Sequence, residues 1–173
     1  MKATTKHISN KRIGKLILNN GGQVLPFREM DLPHRQSIIH YMAIDGEAWD
    51  FPVEADIQDI PDAIMQYMGH FLNQYGNTLF GFVMIPMQEL TDSILADESI
   101  VENFRDRSFQ QYHEWYISNN PHMPSHNTDC LWPVILSSFE DETFEDGWHR
   151  FHDYYRKGVK VVPCVFYPPE KRK

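Results

Sequence analysis

Apolar residues recur at helical spacing in two stretches of the first half of the chain. A longer helix is predicted after Asp59, a suitable N-cap followed by Pro61, and Gly76 ends it. Its apolar positions are Ile64, Met65, Met68, Phe71, Leu72 and Tyr75. A shorter helix is predicted over residues 34–43, with apolar positions Ile38, Ile39 and Met42. Both patterns indicate helices that bury one face against a core.

The strand signals are of two kinds. Residues 79–85 form a continuous apolar run that Pro86 ends, which predicts a strand buried on both faces. Residues 15–27 predict a hairpin, because Asn19-Asn20-Gly21-Gly22 separates two apolar runs and accepts the positive φ of a tight turn. Further helices are predicted over residues 87–95, 98–105 and 108–118, and irregular chain over residues 47–60 and 121–129.

Residues 131–167 have the clearest element boundaries. They predict a strand, an acidic turn, a second strand, a helix and a final strand. Asp146 is expected to cap the helix, Gly147 to turn the backbone sharply, and Gly158 to end the helix in the left-handed conformation. Trp148, Phe151 and Tyr155 form the face expected to pack on the sheet, whereas His149, Arg150, His152, Asp153 and Arg156 point elsewhere.

Composition and charge limit the function classes. The chain has 173 residues, of which 42% are hydrophobic, enough for one sizeable core and too few for two. The formal net charge of −8 argues against a protein that coats nucleic acid by charge alone. The basic residues near the start are expected to form a solvated, frayed terminus: Lys2, Lys6, Lys11, Arg12 and Lys15.

Cysteine content and hydropathy indicate the compartment. Cys130 and Cys164 are the two cysteines, so a disulfide framework is not expected and a cytoplasmic location fits. No apolar run approaches the roughly 20 residues that span a bilayer, and no membrane association is expected.

Arg150 is misplaced for helix stability. A cation in the first turn meets the positive end of the helix dipole, which costs about 0.3–1 kcal/mol. Two explanations stay open. Either neighbouring carboxylates compensate for the charge, or the outward-facing helix amides and an uncovered Arg150 hold a bound phosphate. The carboxylates in question are Glu145, Asp146 and Asp153.

Several of these stretches resemble the core of the ParB/sulfiredoxin superfamily (ParB-like nuclease domain), over about residues 79–167. They are Trp132-Pro133-Val134-Ile135-Leu136, Gly147-Trp148-His149-Arg150, Gly158 and Val161-Val162-Pro163-Cys164-Val165. Met84-Ile85-Pro86-Met87-Gln88-Glu89-Leu90 is similar to the family's opening strand. The resemblance implies an α+β fold, in which a small mixed sheet with packed helices occupies residues 79–173. Residues 1–78 are then an N-terminal hairpin-and-helix extension packed on the same core.

The resemblance also implies a function, because the family's Gly-x-x-Arg turn grips nucleotide phosphates. Gly147, Trp148, His149 and Arg150 are therefore expected to bind the phosphate of ATP, CTP or a nucleic acid such as DNA. Sulfiredoxins carry a cysteine where this chain has Trp148, so their reductase activity is not expected. The helix-turn-helix module of partition proteins is not expected either, because the chain ends shortly after its last predicted strand.

A metal-dependent nuclease or nucleotide hydrolase is a further hypothesis at the same turn. Asp146 would hold Mg²⁺, His149 would act as general acid or base, and Arg150 would stabilise the phosphoryl charge. Glu145 and His152 are the other candidate metal ligands. The alternative is that His149 and His152 are ordinary surface residues. A second group of possible metal ligands lies in one loop, and we interpret them as scattered loop residues: His122, His126, Asp129 and Cys130.

A rival hypothesis is non-enzymatic. In it the turn is degenerate and the acidic surface binds a protein partner, as a regulatory or inhibitory protein of a plasmid or phage system would. The net charge of −8 favours this rival, whereas an uncovered Arg150 favours phosphate binding.

Overall fold

The computed structural model describes residues 1–4, 8, 11–44, 61–97, 108–120, 131–137 and 142–167. Its helices are α1 (Lys11–Asn19), α2 (Leu32–Ile39), α3 (Pro61–Tyr75), α4 (Met87–Leu95), α5 (Phe109–Asn119) and α6 (Trp148–Arg156). Its strands are β1 (Gln23–Pro26), β2 (Leu79–Pro86), β3 (Val134–Leu136), β4 (Phe144–Asp146) and β5 (Val161–Phe166). A short 3₁₀ turn (Phe27–Glu29) follows β1, and a π-helical turn (His40–Ile44) follows α2.

The strands form one mixed sheet of five strands in the order β1-β2-β5-β3-β4. The central strand β5 runs antiparallel to β2, from Gly81 paired with Phe166 to Pro86 paired with Val161. On its other side β5 runs parallel to β3, which pairs antiparallel with β4. The predicted α+β class is confirmed by this mixed sheet and its helices, while the particular ParB/sulfiredoxin arrangement stays a prediction.

Helices cover both faces of the sheet. Alternate residues of β2 enter opposite layers, since Val83 and Ile85 belong to one buried apolar cluster and Phe80 belongs to the other. Residues of α1, α4, α5 and α6 fill the first layer, and residues of α2 and α3 fill the second. The prediction that this strand is buried on both faces is confirmed for most of its length, although Met84 is 41% exposed.

The predicted hairpin over residues 15–27 is half wrong. Its second arm is β1, but its first arm belongs to α1, whose Ile13 and Ile17 are buried one helical turn apart. The Asn-Gly signal ends a helix here, because Gly21 adopts a φ of 71° and Gly22 N donates to Ile17 O at 2.9 Å. A left-handed glycine serves a hairpin turn and a helix end equally well, and the local sequence does not separate them.

The frayed basic terminus is also wrong, because Lys2 forms an antiparallel bridge with Gln23 and a helix begins at Lys11. Arg12 lies in α1, and its guanidinium donates to the carbonyl and hydroxyl oxygens of Ser93 in α4, at 2.5 and 2.6 Å. The other helices are close to expectation, and α5 begins with a capping box between Ser108 and Gln111. Gly158 ends α6 with a φ of 75°, as predicted.

Some predictions lie outside the described residues. They are the Asp59 cap, the helix over residues 98–105, the irregular residues 47–60, and the loop with His122, His126, Asp129 and Cys130. Within the described ranges, no helix combines the length and the apolar character that crossing a membrane requires.

Candidate functional site

The turn that precedes α6 is built on Gly147. Its φ of 94° is the left-handed conformation, and a Cβ there would lie 3.0 Å from Val134 Cγ1 and 3.1 Å from an Arg150 nitrogen. Gly147 itself is the N-cap, and no side chain caps the helix. The predicted cap by Asp146 is therefore wrong, although the helix begins at Trp148 as predicted, because Gly147 occupies the N-cap position.

Arg150 points into the protein. It is 8% exposed, and its Nη2 donates to Pro133 O at 2.8 Å and to the hydroxyl of Ser37 at 3.4 Å. The same nitrogen lies 3.9 Å from Asp146 Oδ2, and the guanidinium carbon lies 5.9 Å from the ring centroid of Trp132. The expectation of an uncovered Arg150 is wrong, because its charge is used to join α6 to α2 and to the start of β3.

The other residues of this turn have partners within the protein. His149 Nδ1 lies 2.7 Å from the hydroxyl of Tyr116, and burial lowers the pKa of His149 while Asp146 opposes the shift. Trp148 packs edge-on against Phe144, with ring centroids 4.9 Å apart. The turn therefore joins α6 to α5 and to β4.

The structure separates the predicted metal ligands. Glu145 accepts a hydrogen bond from the hydroxyl of Tyr41 at 3.0 Å, whereas Asp146 faces Arg150. His152 is fully buried against α5. Among the residues that the structure describes, no group of three or more His, Cys, Asp or Glu side chains is placed to hold a metal ion.

α6 buries most of its circumference, in contrast to the single apolar face that was expected. Phe151 and Tyr154 are fully buried, and so are His152 and Asp153. The Tyr154 hydroxyl donates to Trp132 O at 2.5 Å. Asp153 is paired with both Arg156 and Lys157, the latter at 3.0 Å. α6 is buried more deeply than its polar sequence indicates because α5 covers its second face.

Two histidines meet at the α5–α6 contact. His113 Nδ1 lies 2.8 Å from His152 Nδ1, and the ring of Tyr116 stacks on His152 at 3.7 Å between centroids. Burial, together with His113 and His149, lowers the pKa of His152 to about 3. Burial and the nearby Arg156 lower the pKa of His113, and Glu114 opposes the shift. Both histidines are therefore neutral at pH 7.

A cavity of about 580 Å³ opens beside this pair, at the C-terminal end of α6. Its walls are the β2–α4 junction, one side of α5, the last turn of α6 and residues 158–160. The polar side chains among its described lining residues are Gln88, Gln110, His113, Tyr155, Arg156 and Lys160. No Asp or Glu is among those described lining residues. The polar groups that meet here are thus cationic or neutral.

Backbone geometry adds to the positive character of the cavity. The first turn of α4, which begins at Met87, lines it, and no side chain caps this helix start. Met87 N donates to Lys160 O at 2.8 Å, which fixes the two segments together. The C-terminal end of α6, the negative end of its dipole, also lies at the cavity and opposes this effect. Two of its carbonyl groups already accept hydrogen bonds, Tyr154 O from Val159 N and Tyr155 O from Gly158 N.

No family model, no curated protein and no solved structure matches this chain. The resemblance to the ParB/sulfiredoxin superfamily is therefore untested and stays a prediction.

Sequence reasoning missed the cavity. Arg156, Lys157 and Lys160 form a visible basic run, but cations at a helix C-terminus are ordinary because they complement the helix dipole. Gln88 and His113 lie in other elements, and no local signal places them beside that run. Only the β2–β5 pairing and the packing of α5 on α6 bring these segments together.

Proposed function

We propose that this protein binds a phosphate-bearing small molecule of nucleotide size in the cavity at the C-terminal end of α6. The observation that carries the proposal is the convergence of Arg156 and Lys160 on one cavity beside the first turn of α4, in whose described lining there is no carboxylate. In a chain of net charge −8, such a local excess of positive charge favours an anionic ligand.

Arg156 is the side chain best suited to the phosphate. Its side chain is 52% exposed, and its guanidinium fork matches phosphate oxygens. It is ion-paired with the buried Asp153, but Asp153 also holds Lys157 at 3.0 Å. Arg156 can therefore turn toward a ligand without leaving Asp153 unpaired.

The size and remaining chemistry of the cavity suit the rest of a nucleotide. A volume of about 580 Å³ falls in the range of about 300–1,000 Å³ that is usual for small-molecule sites. Pro86, Val159 and the Tyr155 ring supply apolar surface for a base or sugar. Lys160, another lining residue, is exposed and supplies a second charge.

The proposed phosphate site lies at the opposite end of α6 from the Gly147-Trp148-His149-Arg150 turn. There Arg150 is 8% exposed and donates to Pro133 O, so the geometry offers no charge to an outside ligand. ATP and CTP, which the family resemblance implies, remain the first ligands to test. The proposal covers binding alone and includes no hydrolytic step.

The proposal is tested by calorimetric titration of a ligand series that changes charge at constant base. ATP, ADP, AMP and adenosine are titrated into the protein at two salt concentrations, with CTP as a second base and with Mg²⁺ present or absent. We expect affinity to fall as phosphates are removed, and to fall at higher salt, because the contacts are ionic. Equal affinity for ATP and adenosine, or no binding of any phosphate, would contradict the proposal.

A further inference from the structure

The hydrogen bond between His113 and His152 requires a definite arrangement of protons. Their Nδ1 atoms lie 2.8 Å apart, and the rings are 6% and 0% exposed. Such a bond needs one N–H donor and one nitrogen lone pair. The ring that donates therefore fixes where the hydrogen of each neutral ring must sit.

The second nitrogen of His152 identifies the donor. Nε2 is buried and has no hydrogen-bond partner in the described part of the chain. If His152 accepted the bond, this nitrogen would carry a buried, unpaired N–H. Orphaned buried N–H groups are rarer in native proteins than under-satisfied buried acceptors. His152 thus donates from Nδ1 and keeps a bare Nε2.

His113 must then have the opposite form. Its Nδ1 accepts, so its hydrogen is on Nε2, the one ring nitrogen that is not in the bond to His152. His113 also lines the cavity. We infer that His113 Nε2–H donates a hydrogen bond to the ligand, and that His152 is the positioning residue that holds His113 in this tautomer. The ligand-contact part of this inference rests on the proposed function.

The same geometry keeps His113 uncharged. Adding a proton at His113 Nδ1 would reverse the bond and force a hydrogen onto the buried Nε2 of His152. Arg156 beside His113 further disfavours a second positive charge, whereas Glu114 favours one. His113 is accordingly a neutral donor, and the ligand's charge is met by Arg156 and Lys160.

Two amide replacements separate the two nitrogens of His113. The amide of glutamine reaches the position of Nε2, and the shorter amide of asparagine reaches the position of Nδ1. His113→Asn keeps a partner for His152 and loses the group that meets the ligand, and His113→Gln does the reverse. We expect ATP to bind His113→Asn at least about tenfold more weakly than His113→Gln. We expect the order of thermal stability to be opposite.

If His113 had only a structural role, ATP affinity and thermal stability would rank the two variants in the same order. That result would overturn the ligand contact. If ATP, CTP and pyrophosphate fail to bind the wild type, the ligand contact falls together with the proposed function. If ATP binds but the two variants bind it equally, the inference fails and the proposed function stands.

The tautomers are measured without any ligand. Nitrogen-15 NMR of the wild-type side chains distinguishes protonated from bare ring nitrogens at pH 7. We expect hydrogen on Nε2 of His113 and on Nδ1 of His152, and we expect His152→Asn, whose amide also donates at this position, to keep the His113 form. The opposite pattern in the wild type would overturn the assignment.

Discussion

The two ends of α6 both combine an arginine with a glycine of positive φ, yet they differ in what the arginine is able to do. At the first end Arg150 is 8% exposed and donates to Pro133 O. At the second end Arg156 is half exposed, lines a cavity and shares Asp153 with Lys157. The difference teaches that a cation beside a helix end is available to a ligand only when its guanidinium is exposed and its partner inside the fold keeps a second cation.

The largest expected effect is on stability, and it comes from a change at the N-terminal end of α6. Arg150→Ala removes the donor to Pro133 O and Ser37, and it leaves a void under Trp132. We expect a loss of about 3 kcal/mol in the free energy of unfolding, measured by urea denaturation. Arg156→Ala is the control at the second end and should lose less than about 1 kcal/mol, because Asp153 keeps Lys157. Equal losses would remove the distinction between the two arginines.

The next effect concerns the histidine that α6 buries between its two ends. The pKa of His152 is about 3 in the folded protein, below its ordinary value of 6.5. A lowered pKa means that the unfolded chain binds the proton more readily, so stability falls as the pH drops below 6.5. Between pH 6.5 and 4.5 this should cost about 2–3 kcal/mol. Urea denaturation at pH 7.5 and 4.5 measures this loss in the free energy of unfolding. The difference between the two pH values should be smaller for His152→Asn than for the wild type.

A glycine pair sharpens the comparison further. Gly147 and Gly158 both have positive φ, but a Cβ at Gly147 would meet Val134 and Arg150 at about 3 Å, whereas nothing lies within 4 Å of one at Gly158. We expect Gly147→Ala to lose about 2 kcal/mol and Gly158→Ala about 1 kcal/mol. Thermal or urea unfolding of the two variants is the measurement. A smaller loss at Gly147 would mean that its close packing is unimportant.

The smallest expected effect is on binding. Arg156→Gln and Lys15→Gln each remove one positive charge, but only Arg156 is among the described residues that line the cavity, and Lys15 is exposed on α1. We expect Arg156→Gln to weaken ATP binding about tenfold, which is about 1.4 kcal/mol, and Lys15→Gln to weaken it less than about twofold. Calorimetry measures both. Equal weakening would indicate long-range charge alone and no direct contact.

The elements that local sequence predicts well are those whose signals have a single meaning. The helical spacing of α3 and the apolar run of β2 ended by Pro86 each predict the observed element, although Met65 on the predicted α3 face is 40% exposed, and Gly158 ends α6 as expected. α1 was missed because Asn19-Asn20-Gly21-Gly22 suits a hairpin and a helix end alike. Its partner contacts, such as Arg12 to Ser93, span 81 residues and leave no local pattern.

The site was harder to predict than the fold, because its residues come from three separate stretches of the sequence. Gln88, His113 and Arg156 are far apart in sequence, and each has an ordinary local explanation. At the conspicuous turn beside Gly147, by contrast, the structure gives Arg150 a role inside the fold. Its guanidinium donates to Ser37 and to Pro133 O. Motif strength and ligand access are separate properties, and only packing determines the second.

The most direct test of the cavity assignment removes two charges from it and two from elsewhere. Arg156→Gln with Lys160→Gln changes the cavity, and Lys2→Gln with Lys15→Gln changes the net charge equally at exposed residues outside its described lining. ATP is titrated calorimetrically into both double variants and the wild type at the same salt concentration. The cavity assignment predicts that the first double variant loses binding at least about thirtyfold and the second stays within about threefold. Equal affinities in the two double variants would contradict it.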